Sequence, residues 1–222
     1  GITPQLVDQQ GVAGVDEAGR GPWAGPVVAA AVILHNPRKI LEVRVDDSKR
    51  LTARQRQLAY RVILRHATVG VGIVSADVID EDNIRQATLQ AMVHAVSDLT
   101  DKPAIVLVDG NDPPLLDGIP CRTIVDGDRL NYQIACASII AKVTRDRLMM
   151  FYHRLYPAYG FSRHKGYGTE LHQRNLHTHG PCFLHRMTFQ PLSASAIAGA
   201  LSSRPTFSAN SLRASSAVLA TE

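Results

Sequence analysis

Valine-rich apolar runs alternate with longer amphipathic stretches along this 222-residue chain. Val12–Asp16 and Pro26–Leu34 read as strands, joined by a glycine-rich turn. Ala67–Val74 reads as a third strand, its alternation weakened by Gly70 and Gly72. Before it, Thr52 is placed to cap a helix over Ala53–Arg65. Asp80–Val96 has helical spacing through Ile84, Ala87, Ala91 and Val96, with acids at the end where the helix dipole favours them. Ala104–Asp109 (AIVLVD) is the clearest buried strand and ends on a carboxylate; residues 119–125 offer a short further strand. Ile134–Tyr156 reads as a long helix, small and apolar at first, basic later. Three strands, then helix, strand and helix, predict an α/β fold with a mixed central sheet flanked by helices.

Bulk properties narrow the class. Apolar residues make up 45% and charged residues 20%, an ordinary globular composition. No apolar run approaches the roughly 18–20 residues that span a bilayer, so no membrane association is expected. Three cysteines without a CxxC (Cys121, Cys136, Cys182) argue against a disulfide framework or structural zinc and suit a reducing cytoplasm. The net charge of +4 is weak, but between Lys142 and Arg186 eight Lys or Arg face only two acids. Six of the nine histidines also lie between His153 and His185. Such a stretch suits a phosphate backbone. Residues 1–189 are expected to form the folded catalytic unit, with a Ser/Ala-rich, flexible tail over 190–222 in which Ser193–Leu201 could form a small helix.

Chemistry concentrates in residues 14–26, GVDEAGRGPWAGP. Asp16, Glu17, Asp109 and Asp128 all lie at expected strand ends or in the turns that follow, where one sheet edge can gather them. Clustered carboxylates raise each other's pKa and so imply a bound cation; an all-oxygen set favours Mg²⁺ or Mn²⁺ over zinc. On a regular strand Asp16 and Glu17 face opposite ways. For both to serve one site the chain must turn after Asp16, which Gly19 and Gly21 permit. His172, His177 and His179 fit no standard metal spacing and are expected to be exposed, solvated or phosphate-facing; Trp23 is expected to pack.

Five blocks, DEAGRGPWAGPV, DSKRLT (47–52), LVDGN (107–111), ASIIAKVTRDRLM (137–149) and YGFSRHKGYGT (159–169), closely resemble ribonuclease HII, in that family's order. The resemblance implies a ribonuclease H-like fold with a C-terminal helical segment. It implies an endoribonuclease that hydrolyses the RNA strand of RNA/DNA hybrids. It also implies cutting on the 5′ side of single ribonucleotides in duplex DNA by two-metal-ion hydrolysis, hence a place in ribonucleotide excision repair. By position, Asp16, Glu17 and Asp109 become metal ligands for Mn²⁺ or Mg²⁺. The fourth carboxylate of the family follows a Lys-Gly pair; here the segment is VDGD, so Asp128 takes that position and Asp126 stands where lysine is usual. Asp146 is a rival, but Lys142 one turn earlier suggests an ion pair instead. Gly19, Arg20 and Gly21 match the turn that senses a 2′-hydroxyl, Tyr167 the tyrosine stacked on the neighbouring sugar, and Lys49 and Lys165 phosphate contacts. A cytoplasmic monomer acting on RNA/DNA hybrid and ribonucleotide-containing duplex is the expectation. The alternatives are a non-catalytic duplex-binding protein on the same fold, or a ribonuclease HIII-like enzyme. The latter generally carries an extra N-terminal domain for which the residues before Val12 leave no room.

Overall fold

The computed structural model describes residues 5–6 and 10–194. The expected helix over Ser193–Leu201 therefore lies, beyond Ala194, outside the described residues, as does the rest of the tail. The elements in chain order are β1 (Val12–Ala18), β2 (Val27–Leu34), α1 (Pro37–Ile40), α2 (Ala53–His66), β3 (Ala67–Val74), α3 (Ala76–Asp82) and α4 (Ile84–Ser97). There follow β4 (Ile105–Asp109), β5 (Cys121–Ile124), α5 (Gly127–Leu130), α6 (Tyr132–Leu155), α7 (Phe161–His164) and α8 (Glu170–His179). The strands form one mixed sheet in the order β3-β2-β1-β4-β5, antiparallel from β3 to β1 and parallel from β1 to β5.

The side-chain period of two divides β2 between two cores. Val28, Ala30 and Val32 pack with Tyr60 and Ile63 of α2 and Ile139 and Ile140 of α6. Val27, Ala29, Ala31 and Ile33 pack with Ala87, Ala91, Met92 and Ala95 of α4. A strand buried on both faces reads as a continuous apolar run, which is why VVAAAVIL shows no alternation. The glycines of β3 have a positive role: a Cβ on Gly72 would lie 1.9 Å from the Ala91 carbonyl oxygen, and one on Gly70 2.1 Å from that of Ala95. They let α4 lie directly on the sheet. Gly14 does the same for α6, where a Cβ would meet the Gln133 carbonyl carbon at 2.1 Å.

The helix at 53 starts as expected, with a capping box between Thr52 and Gln55. Asp80–Val96 is not one helix. Asn83 sits at φ 71°, ending α3, and its side chain accepts the Gln86 N–H to start α4. β1 runs on through Glu17 to Ala18, so the turn begins at Gly19 (φ 95°) rather than after Asp16. Among the described residues no helix is long and apolar enough to cross a membrane, and Cys121 and Cys136 are free.

Gly72→Ala should lower stability by about 1–3 kcal/mol, the usual cost of overpacking. Urea unfolding would show the midpoint falling with an unchanged slope if α4 is pushed off the sheet without other rearrangement.

Candidate active site

Parallel pairing of β1 with β4 builds the site. The register Val15↔Val108 puts Asp16 and Asp109 at the next step of neighbouring strands, both at carboxyl ends. Leu107 and Ile134 share a cluster, so on β4 the odd positions face α6; Ala13 and Val15 face α4, so Asp16 faces α6 as well. Asp128 arrives from α5, where its own N–H donates to Asp109 Oδ1 at 3.3 Å. Each of Asp16, Asp109 and Asp128 offers a carboxylate oxygen, and these lie within 4.8 Å of one another. Glu17, on the opposite face, stands outside this trio and lies 3.6 Å from Arg20. Glu17 lines a small pocket with Arg85, Thr88 and Met92 of α4, and Asp109 forms its rim.

The electrostatics are those of charge crowding. Burial, then the charges of Glu17 and Asp109, pushes Asp16 well above the usual carboxylate range. Burial and the Asp109 and Asp47 charges raise Asp128 to about 6. Burial raises Asp109 too, opposed by the Asp128 and Gly127 amides, and raises Glu17 against the pull of Arg20. Burial disfavours the Lys49 ammonium, but Asp47 and the trio outweigh it and raise its pKa. One lysine against three clustered acids leaves excess negative charge, and an all-oxygen donor set of this kind fits a hard divalent cation.

A ribonuclease HII family model matches residues 13–192. The chain belongs to the ribonuclease HII family. Ribonuclease HII of Xanthobacter autotrophicus is 52% identical over 181 residues, 82% of this chain and 72% of that one. Ribonuclease H2 from Pyrococcus horikoshii has the same fold, with a TM-score of 0.71 and 27% identity over 82% of this chain and 95% of that one. The ribonuclease HII found in a PCNA complex from Archaeoglobus fulgidus gives 0.68 and 25%, covering 81% and 95%. As a ribonuclease HII the protein is a metal-dependent endoribonuclease, a hydrolase of ribonuclease H type 2.

Within this ribonuclease HII, the Gly19–Gly21 turn is fixed from inside by Arg186, which is fully buried. Its guanidinium donates to the carbonyls of Gly19 (2.6 Å), Arg20 (2.9 Å) and Gly25 (3.0 Å). Arg145, also fully buried, donates to Ala24, Pro26 and Lys165 carbonyls at 2.9–3.0 Å. Burial lowers both pKa values, to about 9 for Arg186 and about 10 for Arg145. These two were expected as surface charge, and the structure corrects that. For Arg145 a signal existed, since it is in helical register with Ala141, Leu148 and Met149, otherwise a core stripe.

Tyr167 is exposed, with Lys142 Nζ and Arg145 Cζ each 5.8 Å from its ring centre. Asp146 is outside the trio and pairs with Lys142 at 2.8 Å. Lys165, at φ 53°, turns its ammonium onto the Ser162 carbonyl. Asp126 is exposed in left-handed backbone at φ 55°, just ahead of α5. Trp23 packs on Gly168, where a Cβ would meet its ring at 2.2 Å. His177 and His179 are exposed, but His172 is fully buried, contrary to expectation.

A carboxyl whose folded pKa exceeds its unfolded value takes up a proton on folding, so its ionised form costs stability. For Asp128 that cost is present above about 6 and disappears as the pH falls towards 3.8. In chelator at pH 7.5, Asp128→Asn should melt a few degrees above wild type, and the gap should narrow as the pH falls through 6 and close only near the unfolded value of 3.8. Circular dichroism melts across that range measure it.

Proposed function

We propose that the protein hydrolyses the RNA strand of RNA/DNA hybrids and cuts duplex DNA on the 5′ side of a single ribonucleotide, leaving a 3′-hydroxyl. The observation that carries this is the Asp16–Asp109–Asp128 trio, two buried and one half-buried, beside the turn held by Arg186. In this reading Asp16, Asp109 and Asp128 hold one face of the Mn²⁺ or Mg²⁺ site, and Glu17, whose charge acts on Asp16 and which shares a pocket with Asp109, completes the ligand set from the α4 side. The bound ions supply an activated water and neutralise charge on the leaving oxygen.

The chain's own groups do the rest. A trans peptide sets its C=O and N–H on opposite sides. Because Arg186 draws the Gly19 and Arg20 carbonyls inward, the Arg20 and Gly21 amides point outward, and neither donates to another backbone carbonyl among the described residues. Outward amides on a turn without Cβ at Gly19 or Gly21 can meet a 2′-hydroxyl, the group that distinguishes RNA from DNA. Tyr167 offers its ring to the next sugar, Lys49 contacts a phosphate, and Lys165 contacts one on swinging its ammonium away from the Ser162 carbonyl. The basic residues between Lys142 and Arg174 other than the buried Arg145 carry the duplex. The reading is of a monomer, and the unpaired Cys121 and Cys136 thiols support a cytoplasmic setting.

Asp109→Asn should reduce cleavage of a labelled DNA duplex carrying one ribonucleotide to background, in Mg²⁺ or Mn²⁺, while leaving duplex binding intact in a gel-shift assay. Residual metal-dependent cutting at the same bond would remove Asp109 from the chemistry. Duplex affinity should also fall linearly with salt on a log–log plot, and a flat titration would discard the basic surface. Tyr167→Ala should lose about 10- to 100-fold at a ribonucleotide junction, the range of one stacking contact.

A further inference from the structure

Beneath Tyr167 lies a group of buried histidines with no part in the chemistry so far described. His172 and His185 are fully buried and His164 nearly so. The His164 and His172 rings stack 4.3 Å apart at 10°, with Phe161 and Trp23 around them. His172 Nδ1 is 2.9 Å from the Tyr167 carbonyl oxygen, and its Nε2 is 3.0 Å from His185 Nε2.

The hydrogen bonds fix every proton. The Cys182 N–H donates to His185 Nδ1 at 2.9 Å, so that nitrogen is bare and the proton sits on Nε2. Two ring nitrogens in contact need one proton between them, and His185 supplies it. His172 Nε2 is therefore the acceptor, its proton is on Nδ1, and it donates to Tyr167. Burial, with His164 alongside, pulls the His172 pKa to about 4, so the ring is neutral at pH 7. His185 is itself anchored, since Ala24 and His185 form a β-bridge and the neighbouring Gly25 N–H donates to Leu184 O.

Tyr167 needs such an anchor. It stands between Gly166 (φ 89°) and Gly168, and its ring is 42% exposed, with Lys142 Nζ and Arg145 Cζ each 5.8 Å from its centre. What locates it is its peptide: the carbonyl accepts from the Thr169 N–H and from His172, both at 2.9 Å.

We propose that His172 is a positioning residue for Tyr167: with its proton held on Nδ1 by His185, it clamps the Tyr167 carbonyl and so aims the ring at the substrate sugar. This rests on the reading of Tyr167 as a sugar contact. It also ties that contact to the 2′-hydroxyl turn, because Arg186, next to His185, holds Gly19 and Arg20.

The test is a double-mutant cycle on kcat/KM for a DNA duplex with one ribonucleotide, using His172→Phe, Tyr167→Ala and the pair. His172→Phe should lose about tenfold in wild type, the loss expected of a buried hydrogen-bond network. It should lose less than about twofold when Tyr167 is already Ala, within ordinary additivity error. An undiminished loss in the Tyr167→Ala background, or no loss in wild type, overturns the clamp. If Tyr167→Ala alone behaves as wild type, the sugar contact itself fails, and the clamp with it. Should His172→Phe melt too low to assay, Asn and Gln decide. An Asn amide can take the place of Nδ1 and still donate to Tyr167, whereas a Gln amide takes that of Nε2. His172→Asn well above His172→Gln supports the clamp; equal rates overturn it.

Discussion

Three carboxylates within 4.8 Å repel one another, and only a rigid frame keeps them there. That frame is the parallel pairing of β1 with β4. Backbone hydrogen bonds set the Asp16 and Asp109 positions, and the double-sided cores on β2 prevent the sheet from relaxing the repulsion by bending. Asp128 is tied in by its own amide on Asp109. The strain stored in this arrangement is what a divalent ion releases on binding, so the fold's rigidity and the site's affinity for metal have one origin.

A second frame holds the recognition loops. Arg145 and Arg186 together donate six hydrogen bonds, all to backbone carbonyls of residues 19–26 and 165. Burying two guanidinium groups is costly unless each donor is matched. Here the matching ties segments that the sequence separates by more than 100 residues into one unit. Asp80 secures its far end by accepting the Met187 and Thr188 amides.

Much of this is legible in the amino-acid sequence. Apolar runs closing on a carboxylate marked Asp16 and Asp109 directly, because a charge at the end of a buried strand needs a reason to be there. The motif blocks identified the family. What stayed hidden depends on tertiary contact. The break at Asn83 interrupts a stretch with sound helical spacing. Arg145, Arg186 and His172 belong to residue types normally found at the surface, and their burial becomes intelligible only once the carbonyls they serve are in place. Lys165 was legible by position, but its ammonium turns back to Ser162. The assumed turn after Asp16 failed because β1 keeps its register with β2 through Ala18.

That last feature divides the site. With the strand extended through residue 17, Asp16 opens towards α6 and Lys49, while Glu17 opens towards α4 and Arg85. The two carboxyls still act on each other around the sheet edge, where the Glu17 charge raises the Asp16 pKa, and Asp109 at the end of β4 acts on both. Sequence drift on α4 can therefore reshape the surroundings of Glu17 while the α6-facing side of the three-carboxylate group stays as it is.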